Sequence, residues 1–254
     1  MGRKVATAAV AACALLASCG GDGRATGEEP SGELLVFAAA SLTDAFEELA
    51  ADFEDAHPGV TVTLNLAGSG SLREQILSGA PADVFASAST ADVDQVEETG
   101  AAEGSPRVFA RNRLEIAVPA GNPAGITGLE DFADPGLLIG LCAEDVPCGR
   151  YGRRALESAG ITPSLDTEEP DVRSLLTKVE AGELDAGIVY ATDVAAAADT
   201  VQGIAIPEEH QVEVVYPVVV LAAAPNPETA AAFVAFVLSA EGLDVLSSYG
   251  FLAP

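Results

Sequence analysis

The chain has 254 residues, 49% apolar and 20% charged, enough to bury the core of one or two modest domains and too apolar for disorder. Its 39 acidic residues against 12 basic ones leave a net charge of −27, which would repel phosphate backbones over the whole surface and excludes a nucleic-acid partner. With 25 Gly, 15 Pro, no Trp and one Met, it lacks the aromatic girdles of barrels and the heptads of coiled coils, and a compact α/β protein is the leading class.

The chain opens Met1-Gly2-Arg3-Lys4 and continues with the apolar run Val5 to Ala17, shorter than the roughly 20 residues a bilayer span needs. Residues 1–18 read as a secretory signal peptide. The run ends Leu16-Ala17-Ser18-Cys19-Gly20, which resembles the lipobox of bacterial lipoproteins. That resemblance implies lipidation of Cys19, a tether over 19–32 and an extracytoplasmic protein anchored to the cell membrane; ordinary cleavage beside an incidental cysteine is the plainer alternative. Removing 1–18 takes Arg3 and Lys4 but no acid, so the net charge moves from −27 to −29. Of the 4 cysteines, Cys13 leaves with the signal and Cys19 is acylated, and an oxidising exterior favours pairing the remaining Cys142 and Cys148. A metal pair lacks further Cys or His ligands nearby, and a redox dithiol has the wrong spacing. His57 and His210 read as surface residues.

Strand-length apolar runs alternate with helical periodicity from Glu33 onward. Leu34 to Ala38 reads as a strand, followed by a helix carrying Leu42, Ala45, Phe46, Leu49 and Phe53. Val60 to Leu66 is a second strand, then a Gly-Ser turn and a short helix from Leu72 to Leu77 closed by Gly79. Val84 to Ala88, Leu114 to Val118 and Leu137 to Leu141 are further strands. A helix over Tyr151 to Ser158, another carrying Val172, Leu175, Leu176 and Val179, and the strand Ala186 to Tyr190 follow. Val212 to Ala223 is a β-branched run broken by Pro217, which marks an edge, a bend or a crossing between lobes. Asn226-Pro227-Glu228 starts a helix that runs to about Leu238. No second apolar span follows that could cross a membrane.

Two strand-to-helix junctions place a serine where backbone N–H groups lack partners: Ala39-Ala40-Ser41 and Gly68-Ser69-Gly70-Ser71. In an open parallel sheet such junctions face the ligand crevice, and two on adjacent strands converge on one small oxyanion. Each serine alone reads first as a plain N-cap, and it is their pairing after consecutive strands that favours a ligand site. Val146-Pro147-Cys148-Gly149 and Pro170-Asp171-Val172-Arg173 supply two more helix starts.

Six segments in order resemble the molybdate-binding proteins of ABC transporters. They are Val36 to Thr43, Ala67 to Leu72, Gly79 to Phe85, Val146 to Gly149, Asp171 to Arg173 and Gly187 to Tyr190. The resemblance runs from about Glu33 to Phe251. It implies a type II periplasmic-binding-protein fold: two α/β lobes joined by two crossing strands, with lobe I at 33–110 and 215–254 and lobe II at 111–214. It implies that the serines Ser41 and Ser69, the amides of Cys148 and Val172, and the Tyr190 hydroxyl hold molybdate or tungstate, so that molybdenum enters only inside its oxyanion. At Cys148 the family commonly has Ala; the contact is an amide, and a bridge to Cys142 would pre-set that loop. It further implies delivery to a membrane permease, a monomer, no cofactor and no covalent chemistry.

Donors without an acceptor carboxylate favour a fully ionised dianion and disfavour hydrogen phosphate, whereas sulfate must be sorted by cavity size. A sulfate binder is therefore the near alternative, and an enzyme using Ser41 as nucleophile with Tyr190 as acid or base is a distant one. Residues 107–154 hold Arg107, Arg111, Arg113, Arg150, Arg153 and Arg154 against six acids. Arg150, Arg153 and Arg154 either flank the cleft and favour anion entry or pair with acids on a solvated helix face.

Overall fold

The structure, a computed structural model, describes residues 29–254 together with Met1 and Gly2. Cys19, the signal segment and the tether before residue 29 lie outside the described residues. In chain order the elements are β1 (Gly32–Ala39), α1 (Thr43–Ala56), β2 (Val60–Ala67), α2 (Ser69–Leu77), β3 (Val84–Ala86), α3 (Thr90–Glu98), β4 (Ala102–Asn112) and β5 (Leu114–Pro119). They continue with β6 (Ile139–Cys142), α4 (Pro147–Ser158), β7 (Thr167–Glu169), α5 (Val172–Glu180), β8 (Ala186–Tyr190), α6 (Ala191–Ala196), β9 (Val201–Ala205), β10 (Val214–Leu221), α7 (Pro227–Val237) and α8 (Ala240–Ser248).

These form two mixed five-stranded sheets, ordered β2-β1-β3-β10-β4 and β7-β6-β8-β5-β9. β1, β2 and β3 run parallel in the first and β6, β7 and β8 in the second, and every other pairing is antiparallel. The chain leaves the first sheet at Arg113, between β4 and β5, and returns between β9 and β10. The result is a two-lobed α/β fold.

The first sheet is covered on both faces, which is why β1 and β10 read as nearly continuous apolar runs. On one face Phe46 and Phe53 of α1 meet Phe109 and Phe233, with ring centroids 5.8 Å apart for Phe46–Phe109 and 5.2 Å for Phe53–Phe233. On the other, Leu72 and Ile76 of α2 and Val93 and Val96 of α3 pack on Phe37, Phe85 and Val219. The second sheet buries Leu141 and Ile188 with Leu156 of α4 and Leu175 and Val179 of α5.

Several elements depart from the sequence reading for identifiable reasons. The longest strand, β4, carries Gly104, Pro106 and alternating charges, and its apolar burial is confined to its last residues, so no pattern announces it. β7 and β9 are short and half exposed. α3 offers only Val93 and Val96 as apolar anchors, and α8 buries only Val245 and Leu246, with Leu243 half-buried beside them. α4 begins four residues before Tyr151, at Pro147, where a missing N–H is harmless. Pro217 sits inside the sheet, not at its edge: the β10–β4 register shifts between Tyr216 and Pro217, and the Pro217 carbonyl accepts the Ser87 N–H at 2.9 Å.

Candidate functional site

The C-terminal ends of β1, β2, β6 and β8 converge on a small cavity between the lobes. Ser41, Ser69, Cys148, Val172 and Tyr190 all line it, together with Ala39, Ala40, Gly68, Ala88, Val146, Pro147 and Asp171. Each of the five is at most 5% exposed.

The polar groups are set up to donate. The Ser69 hydroxyl oxygen accepts the Ala88 N–H at 3.1 Å, which leaves the Ser69 proton free to point into the cavity. Ser41 lies in a single 3-10 turn between β1 and α1, and its hydroxyl is 3.0 Å from that of Tyr216. α2 and α4 start on Gly68 and Val146, neither of which caps with its side chain, so their first N–H groups have no local acceptor. Pro147 supplies no N–H, which makes Cys148 the first free amide of α4. At α5, Asp171 turns its carboxylate back to Ser174, whose N–H and hydroxyl donate at 2.9 and 3.0 Å, and the Val172 amide is left over. The Tyr190 hydroxyl is buried with no hydrogen-bond partner. Burial, reinforced by Tyr216, Tyr151 and Asp193, holds its pKa well above the usual phenol value, so it stays a donor.

An orphaned buried hydroxyl costs about 1–3 kcal/mol, and a cavity lined by unpaired donors, with no Lys or Arg in its wall, is built for an acceptor-only guest. Neither serine touches a base: their side-chain partners are Tyr216 and a backbone amide. Among the described residues no group of three His, Cys, Asp or Glu side chains could hold a metal ion. His57 packs against Phe53 with the rings tilted and their centroids 4.5 Å apart, and His210 pairs with Ser158 at 2.9 Å.

The lobes are closed on one another. A Cβ on Gly68 would stand 2.7 Å from the Pro170 carbonyl oxygen, and one on Gly70 2.7 Å from that of Asp145, so only bare backbone lets α2 meet the second lobe. Two arginines clasp the cleft. Arg150 of α4 reaches the buried Asp92 of α3 at 2.5 Å, where Arg73 also binds at 2.6 Å. Arg173 of α5 pairs with Asp44 of α1 and lies 3.5 Å from Asp193. Arg153 pairs with Glu168, and Arg154 lies beside His210. Arg153 therefore pairs with an acid of its own lobe, as in the second of the two sequence readings, whereas Arg150 flanks the cleft, as in the first, and pairs across it with a buried acid.

A family model described as bacterial extracellular solute-binding protein matches residues 34–252. The chain belongs to this family. The molybdate-binding protein ModA of Mycobacterium tuberculosis is 40% identical over 245 residues, spanning 94% of this chain and 93% of that protein. The periplasmic molybdate-binding protein of Azotobacter vinelandii superposes with a TM-score of 0.76 at 22% identity, covering 87% of this chain and 99% of that one. The sulfate-binding protein SubI of Mycobacterium tuberculosis gives the same TM-score, 0.76, at 16% identity and 86% coverage of both chains. Proteins named for molybdate binding and for sulfate binding thus share this fold.

Sequence reasoning missed Tyr216, Asp92, Asp44 and Asp193. Asp193 is fully buried behind the site, where its carboxylate accepts the Tyr190 N–H at 3.1 Å. Burial raises its pKa to about 7, against the opposing pull of Arg173 and the Tyr190 N–H. The native protein therefore holds a proton that the unfolded chain releases from near pH 4, so this group's stabilising contribution is complete at low pH and is lost as pH rises through about 7. Urea unfolding of Asp193→Asn should accordingly show a smaller loss of stability between about pH 5 and 8 than the parent, whereas parallel profiles would contradict the assignment.

Proposed function

We propose that this chain is the extracytoplasmic binding component of an ABC importer that captures molybdate, and tungstate with it, and delivers the anion to a membrane permease. Ser41, Ser69 and Tyr190 donate hydroxyls to the oxyanion, and Cys148 and Val172 donate amides. The observation that carries the reading is the buried, partnerless Tyr190 hydroxyl facing a cavity of donors that has no cation in its wall. The 40% identity to a molybdate-binding relative over nearly the whole chain supports the choice of anion. In this reading the protein is a monomer that performs no covalent chemistry, with lobes at 33–110 plus 215–254 and at 111–214. It reaches the cell surface by the signal peptide 1–18 and stays there through a lipid on Cys19.

Neutral dipoles suffice because they are fixed in advance and shielded from water. A ligand oxygen that still carried a proton would need an acceptor, and the one carboxylate in the wall, Asp171, is committed to Ser174.

Calorimetric titration with molybdate, tungstate, sulfate and phosphate should give tight one-to-one binding of the first two and weak or no heat with the others; preference for sulfate would move the protein to a sibling transporter. Tyr190→Phe should weaken molybdate binding about tenfold while leaving the ligand-free protein at least as stable, because it deletes an orphan hydroxyl. Full affinity in that variant would remove Tyr190 from the ligand set. Removing the clasps with Arg150→Ala and Arg173→Ala should raise the dissociation rate of molybdate much more than it changes association, as stopped-flow kinetics would report.

A further inference from the structure

The cavity wall contains one covalent feature that the oxyanion reading does not use. Cys142 ends β6, Cys148 is the second residue of α4, and the two are joined by a disulfide with their Cα atoms 5.7 Å apart. The ring they close is small, with a sequence separation of 6, so it restrains far less of the unfolded chain than a long loop would. Its value is local. Both cysteines are at most 3% exposed, and the ring sits where ligand contact and lobe closure meet.

On the ligand side, Val146, Pro147 and Cys148 face the cavity, and Cys148 brings the first free amide of α4. On the closure side, the Asp145 carbonyl is the group that abuts Gly70, and the Val146 side chain abuts Gly68. Within lobe II the ring is braced at several points: the Ala143 N–H donates to Glu169 at 2.8 Å, Arg150 donates to the Asp145 carbonyl at 2.6 Å, and Arg153 donates to the Cys142 carbonyl at 2.8 Å. Arg150 at the same time reaches Asp92 across the cleft. One short ring thus presents an anion donor and an interlobe face together.

We propose that the Cys142–Cys148 disulfide is an affinity-setting positioning element: it holds the Cys148 amide and the 145–146 edge in their ligand-bound arrangement before the anion arrives. The inference rests on the oxyanion reading above. Without the bond, residues 143–147 would have to be ordered at each binding event, and that entropic cost is subtracted from affinity.

The test compares the purified protein with Cys142→Ala/Cys148→Ala. Molybdate should bind the variant about ten- to thirtyfold more weakly, with a less favourable binding entropy, while far-ultraviolet circular dichroism is unchanged. Equal affinity combined with a lower melting temperature would make the bond merely structural and overturn the proposal. A parent protein that does not bind molybdate at all would overturn the functional reading and this inference with it, whereas a parent that binds and a variant that matches it would sink the inference alone. A second measurement does not depend on the variant folding. Backbone order parameters of the ligand-free, disulfide-bonded protein at Glu144, Asp145, Val146, Cys148 and Gly149 should lie near about 0.85, as in the flanking helix, and values below about 0.6 would overturn it.

Discussion

A doubly charged anion can leave water only where something replaces its hydration, and in the proposed reading the replacement is backbone N–H left over at helix starts. Everything around the cavity serves that requirement. Gly68 and Val146 occupy N-cap positions where Ser, Asp or Asn would ordinarily satisfy the first amides, and their inability to do so is what keeps those amides available. Asp171 does cap its helix, but it takes Ser174 and leaves Val172. The Ser69 hydroxyl accepts the Ala88 N–H and keeps its proton to give, and the Ser41 hydroxyl is held by the Tyr216 phenol.

The distribution of charge follows from the same constraint. The protein is strongly acidic overall, yet no cationic side chain enters the cavity wall. Arginine is used one layer out, where Arg150 and Arg173 tie α4 and α5 of one lobe to Asp92 and Asp44 of the other. Asp92 is buried between two guanidinium groups, that of Arg73 from its own lobe and that of Arg150 from the other. In the proposed reading closure and capture are thereby separated: dipoles recognise the anion, and ion pairs hold the cleft shut around it.

Much of this was legible before the fold was seen. The βα alternation places Ser41 and Ser69 at neighbouring strand ends because each follows an apolar run and precedes a helix, and both line the cavity. What could not be read depended on contacts between distant segments. Tyr216 lies 175 residues from Ser41. Arg150 and Asp92 are 58 residues apart and sit on different lobes, and nothing in the surroundings of Asp92 distinguishes it from a solvated helix acid. Arg153 was readable only as a member of a basic cluster; its partner Glu168 comes from β7, a strand too short and polar to be seen in the sequence. Local chemistry reveals who can donate, and topology decides who meets.

The most direct test of the account is a crystal structure with molybdate bound, its metal located by anomalous scattering at the molybdenum edge. The account predicts a single ion in the cavity, its oxygens within about 3.1 Å of the Ser41, Ser69 and Tyr190 hydroxyls and of the Cys148 and Val172 amides, with no Lys or Arg nitrogen in contact. An ion gripped by Arg150 or Arg173, or seated in a different cleft, would contradict it.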